Sequence, residues 1–228
     1  MEAMALMSKF KKFFFVCLSM PKTLYYNFKI FPVIDAIKLR VFCAWNVRFK
    51  GLKRGSIESN REIGMFGIKI GNGGSEGIPR QKSTVIISKN GKMVFKGKAN
   101  LGEGIIIRID GGKIVFGENF RTNKNAFIAC NTLMTFGNDV LFGWNVSIRD
   151  SDGHSVYCNG IESPKEKSVS IGNHVWICSH ANVLKGTVIG DDCVVAYQSC
   201  VIGGIHQSNS LIAGIPGKAI RGDITWVE

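Results

Sequence analysis

The chain has 228 residues, of which 45% are hydrophobic, and a formal net charge of +12. This length suits one domain plus a small appendage, and the apolar content is ample for a core. No apolar run approaches the ~18 residues that a membrane span needs. The 7 cysteines contain no CxxC pair, which argues against a disulfide framework and predicts reduced thiols in a cytoplasmic protein.

Residues 1–54 carry an uneven share of the charge. They hold 11 Lys and Arg residues against Glu2 and Asp35, a net charge of +9. Phenylalanines and tyrosines are interleaved with these bases. Pro21 and Pro32 divide the segment, and the pattern predicts helices over 9–20 and 33–44.

Three interpretations of residues 1–54 stay open. A basic, aromatic, amphipathic region is typical of a membrane-surface anchor on the inner face of a membrane. The same region could be a helical cap on the open end of the following domain. Nucleic-acid binding is the third interpretation, although no nucleic-acid motif is present. The segment also resembles a signal peptide, but it lacks a small-residue cleavage site before Pro21.

From Ser56 onward the pattern becomes that of short strands. We assign residues 55–222 to one mainly β domain and 223–228 to a tail. Residues 72–84 form a predicted loop, and a six-residue period appears after it with slips near Gly111 and before Phe136.

The period becomes regular over residues 169–202. A branched aliphatic residue recurs at every sixth position: Ile171, Ile177, Val183, Ile189, Val195 and Val201. A small residue usually stands two positions before the next aliphatic residue. Such a period suits short strands that turn a corner in each hexad, so that three faces close one coil. Both the branched aliphatic residues and the small residues should point into the core of the column. Gly172 and Gly190 are expected at corners that require positive φ.

A polar stretch, residues 151–168, interrupts this period between Ile148 and Ile171. We predict a loop that leaves the column there. Loops on a rigid scaffold often carry catalytic groups. His154 at its start is a candidate general base, and Asp150 or Asp152 could hold one ring nitrogen.

Three segments together resemble the hexapeptide-repeat sugar O-acetyltransferases, which fold as a left-handed parallel β-helix. These are residues 150–154 with the histidine, residues 171–177 and residues 213–216. The resemblance covers residues 90–222, and the handedness is implied by it alone. With Trp144 and Asn145 as candidate substrate-binding residues, the chain looks most like enzymes that acetylate cell-surface polysaccharides.

The resemblance implies acetyl-CoA as donor and a homotrimer with active sites between subunits. It implies that CoA lies near Trp176 and Ser179, with Lys218 and Arg221 at its phosphates or adenine. Tyr197 stands where the family usually has a small residue, so it would crowd the CoA channel or stack within it.

Three other functions stay open. The acceptor could be the amine of a nucleotide-linked sugar, although a general base suits a hydroxyl better, because a neutral amine is already nucleophilic. The column could be a non-catalytic assembly platform. His174, His180 and His206 could bind zinc across subunits, but their spacing does not match such a site, and we predict no metal.

Overall fold

A computed structural model describes residues 2–79 and 81–227, with side chains for residue 10 and for residues 13 onward. The side chains of Lys9, Lys11 and Lys12, which contribute to the predicted basic region, lie outside this description. The described residues form helices α1 (Glu2–Ile30) and α2 (Val33–Ala36), followed by 25 short strands. In chain order the strands are β1 (Val41–Cys43), β2 (Arg48–Lys50), β3 (Ile57–Ser59), β4 (Ile68–Ile70), β5 (Thr84–Ser88), β6 (Lys92–Phe95), β7 (Ala99–Leu101), β8 (Ile106–Asp110), β9 (Lys113–Phe116), β10 (Phe120–Thr122), β11 (Phe127–Cys130), β12 (Leu133–Phe136), β13 (Leu141–Phe142), β14 (Ser147–Arg149), β15 (Val156–Cys158), β16 (Ile161–Ser163), β17 (Val169–Ile171), β18 (Trp176–Ile177), β19 (Asn182–Val183), β20 (Thr187–Ile189), β21 (Val194–Val195), β22 (Cys200–Val201), β23 (Gly204–His206), β24 (Leu211–Gly214) and β25 (Gly217–Arg221).

The strands wind into a three-sided column. The first sheet has the order β1-β4-β7-β10-β13-β18-β21-β24-β25, the second β2-β5-β8-β11-β14-β19-β22, and the third β23-β20-β17-β12-β9-β6-β3. Neighbouring coils pair in parallel, and at the end of the first sheet β25 folds back antiparallel onto β24. We call the turn from the first to the second sheet the first corner, and the next two turns the second and third corners.

The interior of the column confirms the six-residue pattern. The aliphatic series from Ile171 to Val201 is buried, and so are the small residues two positions before each member. In the earlier coils of the column, the rings of Phe95, Phe116 and Phe136 stack in series, with centroids 4.8 and 5.5 Å apart. Equivalent positions in successive coils therefore build one continuous core.

The corner glycines have a different role from the predicted one. Gly172 and Gly190 do not have positive φ; at the third corner that conformation belongs to residues such as His174 (φ 51°) and Asp192 (φ 56°). A Cβ on Gly172 would lie 2.7 Å from the carbonyl carbon of Gly190 in the next coil. These glycines are needed because two backbones approach closely.

The N-terminal region also differs from the prediction. Helix α1 continues through Pro21 to Ile30, and α2 ends at Ala36 instead of 44. The first coil already begins within the segment 1–54, because Val41 pairs with Ile68 and is fully buried. This packing overrides local helix propensity. No helix among the described residues has the length and apolar content of a membrane span.

The tail packs against the third corner. The Trp226 indole nitrogen donates to the His174 carbonyl at 2.8 Å, and its ring stacks on the imidazole with centroids 4.3 Å apart. The backbone nitrogen of Ile224 donates to the carbonyl of Asn209 at 3.1 Å.

Candidate active site

The predicted excursion leaves the column at the second corner, between β14 and β17. It contains the antiparallel hairpin β15–β16, and a β-bridge between Ser151 and Glu166 closes its base. The Gly153 nitrogen donates to the Ser151 hydroxyl at 3.1 Å, and this turn precedes His154. His154 is exposed, and its imidazole makes no hydrogen bond or ion pair with any described residue. The ring is therefore open to a substrate or to a second chain.

Asp150 does not hold the imidazole as predicted. Its side chain is fully buried at the second corner. One carboxylate oxygen accepts from the Asn131 nitrogen at 2.8 Å, and the other accepts from the nitrogen and hydroxyl of Thr132 at 2.8 and 2.9 Å. These bonds satisfy backbone donors of the neighbouring coil. Asp150 thus fixes the corner from which the excursion leaves.

Asp152 also has another partner. Its carboxylate forms an ion pair with the Lys185 ammonium, which also donates to the carbonyl of Pro164. Lys185 belongs to the second corner of the next coil, so it links both ends of the excursion to the column. Within the described residues, neither aspartate forms a hydrogen bond with His154.

A second group of predicted residues gathers at the first corner around His180, one of the three histidines whose spacing does not match a zinc site. The imidazole Nε2 lies 3.4 Å from the Asn145 side-chain nitrogen. The rings of Tyr197 and Trp144 approach edge-on, with centroids 5.5 and 6.5 Å from that of His180. Ser179 is buried, and its hydroxyl accepts a hydrogen bond from the backbone nitrogen of Trp144 at 3.2 Å. The stacking of equivalent corners explains this cluster, which the linear sequence does not make apparent.

The two groups lie at opposite ends of β14. Asn145 precedes the strand and Asp150 follows it, so they are five positions apart, or roughly 16 Å of extended chain. Within the described residues, no hydrogen bond, ion pair or ring contact joins His154 to the His180 group.

The predicted CoA residues fit an extended, phosphorylated ligand. Trp176 pairs with Val194, which pairs with Leu211, and Leu211 pairs with Arg221. Trp176 and Arg221 therefore stand on one line across the first sheet, about 14 Å apart at the usual strand spacing. Lys218 and Arg221 line one cleft, and neither forms an ion pair with a described carboxylate. Unpaired cations at the far end of such a line suit phosphate groups.

Two cysteines near the corners, Cys178 and Cys130, are poorly suited to nucleophilic catalysis. Burial raises the pKa of the Cys178 thiol to about 11. Burial, with the nearby Asp150 carboxylate as a second cause, also raises the pKa of Cys130. A thiol that stays protonated near neutral pH is a weak nucleophile, so these side chains do not favour a covalent intermediate.

The remaining histidines have separate surroundings. His174 Nδ1 lies 2.7 Å from Asp192, whereas His206 Nε2 is buried without a hydrogen-bond partner. Over residues 2–79 and 81–227, no three His, Cys, Asp or Glu side chains converge in a way that could hold a metal ion.

Comparison with known proteins identifies the family. No protein-family model matches the chain. WbbJ of Escherichia coli K12, a putative lipopolysaccharide biosynthesis O-acetyl transferase, is 34% identical over 142 residues, which cover 55% of this chain and 72% of WbbJ. The chain belongs to the hexapeptide-repeat O-acetyltransferases. The enzyme is accordingly an acyltransferase.

Two further proteins are similar to the enzyme. A polysialic acid O-acetyltransferase of Escherichia coli O1:K1 is 29% identical over 133 residues, covering 55% of this chain and 42% of that protein. The crystal structure of the polySia-specific acetyltransferase NeuO superposes with a TM-score of 0.56 at 18% identity, over 83% of this chain and 89% of NeuO. This structural likeness concerns the fold alone, and it confirms the predicted class, a mainly β, left-handed parallel β-helix.

Proposed function

We propose that the enzyme transfers the acetyl group of acetyl-CoA to a sugar hydroxyl of a cell-surface polysaccharide or its precursor, with His154 as general base. The observation that carries this proposal is the exposed imidazole of His154 at the base of the longest excursion among the described coils. The kinship with a lipopolysaccharide O-acetyl transferase supports the class of acceptor.

The reaction needs one proton shuttle. A neutral His154 imidazole accepts the proton of the sugar hydroxyl while that oxygen attacks the thioester carbonyl. The tetrahedral oxyanion then collapses, the carbon–sulfur bond breaks, and the imidazolium returns the proton to the leaving thiolate. Backbone N–H groups at a corner would stabilise the oxyanion.

The site is completed, in this proposal, by a second copy in a homotrimer. The His154 group and the His180 group lie at opposite ends of β14, so one chain alone holds only half of the necessary residues. A neighbouring protomer that sets its first corner against the excursion would bring Asn145, Trp144 and Tyr197 to His154. Acetyl-CoA would then extend from Trp176 and Ser179 towards Lys218 and Arg221.

A direct test uses the enzyme's own surface glycan, de-O-acetylated with mild alkali, as acceptor. His154→Ala should slow acetyl transfer by roughly 10²–10⁴-fold, while calorimetry finds unchanged acetyl-CoA binding. Ser155→Ala, next to it on the same exposed loop, is the matched control and should keep the wild-type rate. A wild-type rate in His154→Ala removes His154 from the mechanism, and no acetyl-CoA binding by the wild type favours a non-catalytic platform.

Subunit complementation tests the shared site. His154→Ala and Asn145→Ala chains should each be inactive as pure oligomers. When they are unfolded together and refolded as mixed oligomers, some interfaces combine an intact His154 with an intact Asn145, and activity should return. Mixed oligomers that stay inactive would show that both residues are needed from the same chain.

The proposal also locates the enzyme in the cytoplasm, on the inner face of the membrane through residues 1–54. The basic charge of that segment supports this location.

A further inference from the structure

Helix α1 is amphipathic in the opposite sense to an ordinary surface helix. Phe15, Tyr26 and Ile30 pack against the column along one flank of the helix, but the centre of the packed face is polar, with Ser19, Thr23 and Asn27 fully buried. These residues are spaced by four and therefore line one side of the helix. Surface helices normally bury an apolar stripe and expose a polar one, so the reversal calls for a physical cause.

The buried polar stripe binds the open edge of β1. The Asn27 side chain donates to the carbonyl of Val41 at 2.7 Å and accepts from its nitrogen at 3.3 Å. Thr23 forms the same pair of bonds with Cys43, at 3.3 and 3.0 Å, and the Ser19 hydroxyl accepts from the Trp45 nitrogen at 3.1 Å. The three side chains thus bond to backbone groups on the edge of β1 that does not pair with β4, groups that a further coil would otherwise satisfy.

This bonding sets the direction in which the opposite face points. Hydrogen bonds between coils run along the axis of the column, and α1 takes the place of a further coil. The face of α1 opposite Thr23 is therefore directed away from the column, along its axis. The end of the column is closed by a helix whose outer surface forms the end of the protein.

That outer surface is apolar. Side-chain exposure is 67% for Phe10, 60% for Phe14, 58% for Tyr25 and 43% for Phe28. On a helical projection at about 3.6 residues per turn, these four residues fall within one arc of about 60°. Helix α2 adds Ile34, which is 73% exposed. Contiguous exposed aromatic and aliphatic side chains of this kind mark an interaction surface.

The charge around this apolar surface indicates its partner. Residues 1–54 carry a net charge of +9. Lys29 lies on the flank of the apolar face, with its ammonium 5.5 Å from the Tyr25 ring centre. Asp35, the acidic side chain described in this segment, is already paired with the buried Arg40 at 3.0 Å. Two such basic surfaces from two copies would repel each other, whereas an anionic bilayer offers both acyl chains and negative headgroups.

We propose that the outer face of α1, with α2, lies in the headgroup region of an anionic membrane and holds the column upright on it. Aromatic rings enter the interface, and Lys29 on the flank of the apolar face contacts the lipid phosphates. The α1 helix is parallel to the membrane and does not cross it. The contact deepens the proposed location, but its formation does not depend on the proposed reaction.

The orientation has a consequence for the acceptor, and this step does rest on the proposed function. His154 leaves the fifth coil, four coils from β1, and each coil adds about 4.8 Å. The imidazole therefore lies roughly 20 Å beyond the first coil. A lipid-linked oligosaccharide would reach this height, whereas a single sugar on a lipid diphosphate would stay near the surface.

Sedimentation of the full-length enzyme with vesicles tests the contact. The wild type should sediment with vesicles of phosphatidylglycerol and phosphatidylcholine, and should be released at about 1 M salt, where screening is strong. Phe14→Glu/Phe28→Glu should reduce binding at least tenfold, because both charges enter the apolar face. Ile205→Glu, at an exposed apolar position in β23 that is 75% open to solvent, is the control and should bind like the wild type.

Several outcomes would overturn the proposal. These are wild-type enzyme that stays in the supernatant, equal binding to pure phosphatidylcholine that salt does not weaken, or full binding by the double variant. If the double variant instead lowers the oligomeric mass in light scattering and leaves vesicle binding unchanged, the face is a contact between copies. Acetyl transfer to the soluble acceptor should persist in the double variant, so a failure of this contact is separable from a failure of the proposed reaction.

Discussion

Replacing Asp150 with Asn separates a structural role from a catalytic one. The sequence alone suggests that this carboxylate orients His154, whereas the structure buries it and gives it three hydrogen bonds to residues 131 and 132. An asparagine has nearly the same shape but carries only one acceptor oxygen. Its amide group must then face the nitrogen and hydroxyl of Thr132 or the nitrogen of Asn131.

The expected cost follows from these contacts. Losing a charge-assisted hydrogen bond costs about 1.5–3 kcal/mol, and a buried donor without an acceptor costs about 1–3 kcal/mol more. A loss of about 3–5 kcal/mol in the free energy of unfolding is therefore expected. For a chain of this size each kcal/mol lowers the Tm by about 2–4 °C, so Asp150→Asn should melt roughly 6–20 °C below the wild type.

Thermal unfolding followed by circular dichroism measures this difference. Asp152→Asn is the matched control, since its partner Lys185 forms a partly exposed ion pair that is worth less than about 1 kcal/mol. The reasoning is refuted if Asp150→Asn melts like the wild type yet slows acetyl transfer as much as His154→Ala. That result would assign Asp150 to the orientation of the imidazole.

Three further predictions follow from packing and burial. Gly172→Ala should lower the free energy of unfolding by about 1–3 kcal/mol, because its Cβ would lie 2.7 Å from the next backbone, whereas Gly222→Ala, with nothing within 4 Å, should be neutral in the same denaturant titration. Thr23→Val should cost about 1–3 kcal/mol, because the Cys43 nitrogen loses its acceptor; an unchanged denaturation midpoint would argue against edge capping by α1. Maleimide should label Cys178 far more slowly than the exposed Cys158 at pH 8, and its rate should rise about tenfold per pH unit up to its pKa of about 11; comparable rates at pH 8 would contradict that burial.

The column was predictable because its core repeats in the sequence. Every inward position from Ile171 to Val201 falls on the six-residue period, and each is buried as expected. The first coil was missed because its period is too short to recognise: Val41 and Val47 are six residues apart and buried, but the next position of that series is the exposed Lys53. Its strand β1 depends on pairing with Ile68, 27 positions away along the chain, which local patterns do not reveal.

The candidate site was predictable in its residues more than in their partners. The excursion and His154 stand out because they break the period. The partners of Asp150 and Asp152 come from the preceding and following coils, so neighbouring positions in the sequence suggested the wrong ones. The cluster around His180 arises in the same way, from Asn145 and Tyr197 stacked one coil to either side.

The most direct test of the central claim is mass spectrometry of surface glycans from cells that lack the protein and from cells complemented with it. We expect the deletion to remove an O-linked acetyl group from a surface sugar and the wild-type gene to restore it, whereas His154→Ala, expressed at the same level, should not. Glycans that keep every acetyl group in the deletion strain, or full restoration by His154→Ala, would contradict the claim.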